Sequence, residues 1–338
     1  MHVLLIGGTR FIGPLLAFRL LAAGHRLTVL NRGTQPDPFG AFLPRIEGLV
    51  ADRRSADFAK VLTGRSFDAV VDFAAYEAED VRGAVHTLAD RTDHYIFVST
   101  GQVYLVRENC PRPARETDYL GPLLPRPQSE PDLGQWDYGM GKRACEDALI
   151  EAWETRRFPS TRVRIPMVNG ERDDKRRMEG YLFRILDGGP VILPDGGTIP
   201  TRHVYAGEVV RAITAMLGRR DTFGEAFNVT QDETPTLSEL IQILAEFVGA
   251  RPTLVNVSSQ AIEDAGLSVT ALSRFTTRWM SFLDPAKIKA QLNFNHVPLR
   301  EYLGHMVASF LAHPPVEPPR EYAQRPAEIA LAEAILRR

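Results

Sequence analysis

The segment that most restricts this chain lies at its start. An apolar run, Val3-Leu4-Leu5-Ile6, passes directly into Gly7-Gly8-Thr9-Arg10-Phe11-Ile12-Gly13 and then into a stretch with helical apolar spacing. A short buried-type strand followed at once by glycines and a helix reads as the opening of a parallel βα unit. Glycines permit a tight turn and a close backbone approach. The helix N-terminus adds free amides and a favourable dipole, so the turn suits the phosphates of a dinucleotide. An ordinary strand-to-helix turn is the plain alternative. Placement after the first strand, at the head of an alternating unit, favours the phosphate reading.

The rest of the first half continues that alternation. Leu27–Leu30, Ala69–Phe73 and Tyr95–Val98 read as strands, while Leu15–Ala23, Val81–Leu88 and Arg143–Trp153 read as helices. Strands that are apolar throughout, separated by helices, predict a doubly wound parallel α/β sheet of Rossmann type with both faces covered. After about residue 170 the texture is more irregular. Helices are expected near Val209–Leu217 and Leu237–Val248, with a strand at Ala226–Val229 and a proline-rich tail ending in a helix at Ala327–Leu336. The division expected is a dinucleotide-binding domain over 1–169, with segments near 203–230 returning to it. A smaller α+β substrate domain over 170–313 and a tail over 314–338 complete it. Packing on its own subunit is the first expectation for the tail helix, and a dimer contact the second.

Composition narrows the function. With 40 basic and 42 acidic side chains the net charge is −2, which gives no support to coating nucleic acid or an anionic membrane. Two cysteines in 338 residues make no disulfide scaffold, and no apolar run has membrane-span length. No histidine or cysteine spacing suggests a metal site. A cytoplasmic protein acting on a small molecule is expected. Lysine occurs only at 60, 142, 175, 287 and 289, so each one is informative.

Tyr138-Gly139-Met140-Gly141-Lys142 sets a phenol and an ammonium four residues apart, on one face if helical. Upstream, the strand Tyr95–Val98 runs into Ser99-Thr100-Gly101-Gln102, delivering hydroxyls at a carboxyl end. With nine tyrosines and five lysines in 338 residues, chance alone supplies such a pair about 13% of the time. Position adds the rest of the weight, because the pair is expected to open a helix downstream of that strand end. A lysine cation and a positive nicotinamide ring would favour the phenolate, bringing an acid/base of ordinary pKa near 10 toward neutrality.

These strings resemble the extended short-chain dehydrogenase/reductase superfamily, which includes nucleotide-sugar epimerases, dehydratases and reductases. Gly7, Arg10 and Gly13 stand where its turn has glycines; the arginine is a departure that looks like an atypical branch, one that also contains chloroplast stem-loop RNA-binding proteins. The resemblance implies a catalytic triad of Thr100, Tyr138 and Lys142. It implies cofactor contacts from Gly7, Thr9, Arg10, Phe11, Ile12 and Gly13, from Asn31 and Arg32, from Asp52 and Arg53, from Phe73, Ala74 and Ala75, and from Pro166, Tyr138 and Lys142. Tyr76, Gln102, Asn169 and Arg202 fall on the substrate side. It also implies a homodimer through helices Val81–Leu88 and Arg143–Trp153.

Departures refine the expectation. Asn31-Arg32-Gly33 brings no acid to the end of the second strand, and Arg10 with Arg32 can clasp a 2′-phosphate, so NADP is preferred over NAD; a solvated loop arginine is the alternative for Arg32. Gly101-Gln102 replaces the Asp-Glu of the 4,6-dehydratase branch, which disfavours water elimination. Met167 replaces an asparagine common in nucleotide-sugar enzymes, and Arg202 sits one residue short in its spacing to Glu208. The segment Arg107 to Gln135 reads as a lid or wall over the site, or as a surface loop. The activity expected is NAD(P)-dependent oxidoreduction at a hydroxyl/ketone carbon, as a reductase or epimerase, with a sugar or nucleotide sugar among the candidates. A non-catalytic RNA-binding or cofactor-sensing protein on the same fold is the alternative.

Overall fold

The structure, a computed structural model, describes residues 1–36, 38–40 and 45–337. In chain order the elements are β1 (His2–Ile6), α1 (Ile12–Ala22), β2 (Arg26–Asn31), β3 (Ile46–Val50), α2 (Ala56–Leu62), β4 (Ala69–Asp72), α3 (Ala78–Leu88), β5 (Tyr95–Thr100) and α4 (Gln102–Leu105). There follow α5 (Glu130–Arg156), β6 (Ser160–Ile165), β7 (Met167–Asn169), α6 (Arg177–Leu186), β8 (Val191–Pro194), β9 (His203–Tyr205), α7 (Ala206–Met216), β10 (Ala226–Asn228), α8 (Leu237–Phe247) and β11 (Leu254–Val257). Helices Leu299–Ala312 and Arg325–Leu336 close the chain. Two compact units result. One holds 1–166, 206–230 and 281–295; the other holds 167–205, 231–280 and 296–338.

The first unit is built on seven parallel strands in the order β10-β6-β5-β4-β1-β2-β3. Both faces are covered, which is why β1 and β4 are apolar almost throughout and buried. On one face α3 and α5 pack together, with Val81, Val85, Leu88, Leu149 and Ala152 in one apolar cluster. On the other, α1 meets α7, where Leu16, Leu20, Val209 and Ile213 have no exposed surface. Strand order reverses between β1 and β4, the point in a doubly wound sheet where the carboxyl ends leave a crevice for ligand.

Helix α5 is the largest departure from the expected elements. It begins at Glu130, so Tyr138 and Lys142 lie in its third and fourth turns and do not open it. Gly134, Gly139 and Gly141 depress helix propensity and hide its first part in the sequence. The structure uses two of them for contact. A Cβ on Gly139 would fall 3.0 Å from the Gln102 carbonyl oxygen, and one on Gly141 would fall 2.3 Å from that of Tyr76. Residues 107–135 are neither plain lid nor loose loop. Ala114 and Tyr119 are buried, Ala114 exchanges backbone hydrogen bonds with Phe282 and Asp284, and the segment ends inside α5.

The second unit holds two small parallel pairs, β8 with β11 and β7 with β9, and a helical core from α6, α8 and Leu299–Ala312. Its tail helix Arg325–Leu336 buries Arg325, Glu328 and Ala332 within the same unit. Among the described residues no helix is long and apolar enough to cross a membrane.

Candidate active site

Backbone geometry explains the first glycine turn. Gly7 and Gly8 have φ of +78° and +72°, a region costly for other residues. A Cβ on Gly13 would lie 2.1 Å from the Gly8 carbonyl oxygen, and one on Gly7 would lie 3.0 Å from the Ala74 Cβ. Phe11, at φ 46°, caps α1 without a side-chain hydrogen bond, and no acid occupies the first turn. The result is a cradle that side chains would fill, facing the N-terminus of an 11-residue helix. These residues therefore fit a pyrophosphate. Thr9 borders the cradle, Arg10 is exposed beside it, and Ile12 is buried as the first residue of α1.

The ends of β2, β3 and β4 supply the surroundings. Asn31 accepts the Gly33 amide at 2.7 Å, and Arg32 is exposed. Asp52 is exposed, with its carboxylate on the Arg54 amide. Arg53 differs from expectation: its guanidinium is turned inward onto Asp72 at 2.9 Å and the Asp80 carbonyl at 2.6 Å, so it is not open to a ligand. Phe73 and Ala74 flank the glycine turn, and Ala75 is fully buried. Burial and Asp72 raise the Tyr76 phenol, while Arg32, Arg10 and Arg53 pull it back. Those cations and the tyrosine thus share one neighbourhood.

Thr100 ends β5, and its side-chain oxygen accepts the Gln102 amide at 3.2 Å. Its hydroxyl lies near enough to the Tyr138 phenol to act on its acidity. Tyr138 is 40% exposed, yet protein atoms crowd around its phenol. That burial, with the neighbouring Tyr76, pushes the phenol up to about 12, the Thr100 contact opposing. Lys142 is buried, donates from Nζ to the Val98 carbonyl at 2.9 Å, and lies 4.9 Å and 4.6 Å from the ring centroids of Tyr76 and Phe97. Burial brings its ammonium down to about 8.

The remaining expected residues separate. Pro166 is buried just past β6. Gln102 is buried, and its amide nitrogen donates to Gln135 at 2.6 Å, so that group is already engaged within the unit. Asn169 and Arg202 belong to the second unit. Asn169 is fully buried on β7, whereas the Arg202 guanidinium donates to the Asp232 carbonyl at 3.1 Å.

Sequence reasoning missed the polar groups behind this site. Arg164 on β6 holds Glu146 through both oxygens, and Glu146 accepts the Ser99 hydroxyl at 2.5 Å. Arg164 also donates to the Tyr104 hydroxyl at 2.6 Å. A visible signal existed: Glu146 follows Lys142 by four residues, and Ser99 precedes Thr100.

A doubly wound sheet with a glycine cradle at its reversal point and a threonine–tyrosine–lysine group at the end of β5 defines a class of dinucleotide-dependent fold. The chain belongs to the NAD dependent epimerase/dehydratase family, matched over residues 3–230. It is 26% identical over 273 residues to the chloroplast stem-loop binding protein of 41 kDa b of Arabidopsis thaliana, covering 77% of this chain and 67% of that one. It is 23% identical to 2′-dehydrokanamycin reductase of Streptomyces kanamyceticus, over 84% of this chain and 77% of the relative. Among solved structures, UDP-glucose 4-epimerase of Thermotoga maritima superposes with a TM-score of 0.72 at 19% identity, covering 92% of this chain and 99% of the other. A dTDP-glucose 4,6-dehydratase from Streptomyces venezuelae gives 0.70 at 21%, covering 93% and 98%.

Proposed function

We propose that the chain is an NAD(P)-dependent oxidoreductase acting at a hydroxyl/ketone carbon, as a reductase or epimerase, with sugars and nucleotide sugars as the first substrates to test. The observation that carries this is the Thr100–Tyr138 hydroxyl pair at the carboxyl end of β5, with Lys142 one turn further along α5. When bound, the nicotinamide cofactor supplies or accepts the hydride. Gly7, Gly8 and Gly13 would hold its pyrophosphate; Asn31, Arg32 and Asp52 would line its adenosine end, and Phe73, Ala74, Ala75 and Pro166 the remainder.

The chain's own groups divide the proton work. With its phenol near 12, Tyr138 holds a proton at neutral pH and acts as the acid that protonates a ketone oxygen during reduction. Thr100 orients that oxygen. Lys142, charged at neutral pH, supplies the positive field that eases the reverse transfer. Tyr76 and Gln102 stand on the substrate side, and the resemblance adds Asn169 and Arg202 to the expected substrate contacts. Water elimination is disfavoured: a Cβ on Gly101 would fall 2.4 Å from the Ser281 hydroxyl oxygen, so the position has no room for a carboxylic acid.

NADP is the preferred cofactor in this reading, since Arg10 and Arg32 offer two guanidiniums and the end of β2 offers no acid. A homodimer through α3 and α5 is part of the same reading, as is a place in the cytoplasm.

The test measures dissociation constants for NADPH and NADH, then screens ketones and nucleotide sugars with wild type and Tyr138→Phe. Turnover that disappears in Tyr138→Phe supports the enzyme. Cofactor binding without turnover on any substrate overturns it in favour of a sensor. Salt-sensitive RNA binding without turnover would instead align the chain with its chloroplast relative. Arg32→Ala should weaken NADPH about tenfold; a clear NADH preference that survives this change would remove the NADP assignment.

A further inference from the structure

Arg53 lies between two buried acids that hold one turn. Asp72, fully buried at the end of β4, accepts Arg53 Nη1 at 2.9 Å and the Ala74 amide at 2.8 Å on Oδ1, and the Tyr95 hydroxyl on Oδ2. Arg53 Nη2 continues to the Asp80 carbonyl, while Asp80 Oδ2 accepts the amides of Tyr76 at 2.9 Å and Glu77 at 3.2 Å. The Ala74 amide thus leads to Asp72, and the amides of Tyr76 and Glu77 lead to Asp80, whose carboxylate Arg54 also holds at 2.8 Å and whose carbonyl Arg53 holds. On its other side the turn rests on α5, because only a glycine at 141 leaves space for the Tyr76 carbonyl.

That turn determines what Lys142 faces. The Tyr76 and Phe97 rings both lie against its ammonium. Phe97 is the register neighbour of Asp72 on the adjacent strand. Lys142 makes no ion pair within 4 Å among the described residues, so charges slightly further away carry weight in this dry setting. The titratable groups that face it are Cys145 and Glu146 from its own helix, Asp72 from β4, and Arg53 from the connection between β3 and α2. Asp72 favours the ammonium and Arg53 opposes it.

We infer that Asp72 and Arg53 are positioning residues of the active site, holding the Phe73–Glu77 turn against α5 and setting the charge environment of Lys142. Their importance for turnover rests on the oxidoreductase reading. The two members act on Lys142 with opposite sign, and a merely structural role has no such signature. Loosening the fold would hydrate the lysine and move its titration upward toward the ordinary value near 10.4 in both variants.

The experiment labels lysine at Cε with carbon-13 and titrates the full chain, without cofactor or substrate. Five lysines give a countable set of signals, and the Lys142 signal is the one missing in Lys142→Met. Wild type should titrate near pH 8. Asp72→Asn should lower the midpoint by about 0.5–1 pH unit, and Arg53→Met should raise it by a similar amount. Arg53→Lys, which restores the charge, should bring it back. Shifts in the same direction, or none beyond about 0.2 unit, overturn the inference. Should Asp72→Asn fail to fold, the Arg53→Met and Arg53→Lys pair decides: a midpoint that the lysine variant does not restore sinks the idea. Because no turnover is needed, a failure of the functional reading shows up separately, as inactivity on every substrate.

Discussion

In the first unit the buried ions gather at the carboxyl ends of parallel strands. Asp72 with Arg53, and Glu146 with Arg164, each lie within a few residues of a group expected to do chemistry: Asp72 precedes Phe73–Tyr76, Glu146 follows Lys142 by one turn, and its partner Ser99 precedes Thr100. In the second unit a set with buried arginines serves a different purpose, with Glu328 enclosed and Asp187 exposed. Arg184 on α6 pairs with Glu328 at 2.6 Å, Arg325 pairs with Asp187 at 2.7 Å, and Arg325 reaches Glu328 as well. The first two pairs join residues some 140 positions apart and fasten the C-terminal helix to α6. The device is the same, a guanidinium gripping a carboxylate. Its location decides whether it aligns a site or ties down a chain end.

The largest effect separates chemistry from scaffold. Tyr138→Phe should cut turnover about 10²–10⁴-fold, with cofactor dissociation constant and melting temperature close to wild type. A comparable loss of thermal stability would mean that Tyr138 is structural, and would erase the distinction between the units at its strongest point.

Next come the two buried acids. Glu146→Gln and Glu328→Gln each leave arginine charge without its partner, which typically costs about 3–5 kcal/mol when a buried pair is broken. Denaturant unfolding should find similar destabilisation in both. Activity should divide them: Glu146→Gln should lose turnover below its unfolding midpoint, whereas Glu328→Gln should keep cofactor binding and the Tyr138-dependent step. Equal kinetic damage would show that the tail clasp also bears on the site.

Much of the first unit was legible because its period and its punctuation agree. The apolar strands and the glycine turn follow from local pattern, whereas Thr100, Tyr138 and Lys142 as a group came from the family resemblance. What escaped is non-local. Nothing in Asp52-Arg53-Arg54 announces that the middle residue turns inward, since that depends on Asp72 and Asp80 arriving from later in the chain. The early start of α5 was hidden because propensity penalises Gly139 and Gly141, and only the carbonyls packed against them explain their presence. The tail helix was expected to pack on its own subunit, and Leu331 and Ile335 do pack against an apolar cluster of its unit. The structure makes Arg325 and Glu328 its most enclosed large side chains and leaves Leu336 56% exposed, because the partner surface on α6 presents Arg184. Along the second unit the expected substrate residues lacked any comparable agreement of pattern and place.

A further comparison tests whether both units respond alike to acid. Each buries a histidine. In the first, His94 accepts the Gly218 amide on Nδ1 at 3.1 Å, which makes Nε2 the protonated nitrogen that donates to Thr161 at 2.8 Å. In the second, His203 lies against the Phe275 ring at 4.6 Å. Burial depresses the first to about 4; burial, with Arg177, depresses the second to about 3. The folded chain therefore keeps both imidazoles neutral below the ordinary value near 6.5, where the unfolded chain takes up protons. Stability should fall as pH drops from about 6.5, by up to roughly 1.4 kcal/mol per pH unit for each histidine, until about pH 4 for His94 and about pH 3 for His203. Denaturant unfolding between pH 7 and 4 reads the combined slope. His203→Phe keeps the aromatic volume and removes one titrating group, so it should flatten the slope by about half. A slope left unchanged by that substitution would mean that acid acts through the first unit alone, making His94, with its two hydrogen bonds, the group whose protonation limits the fold.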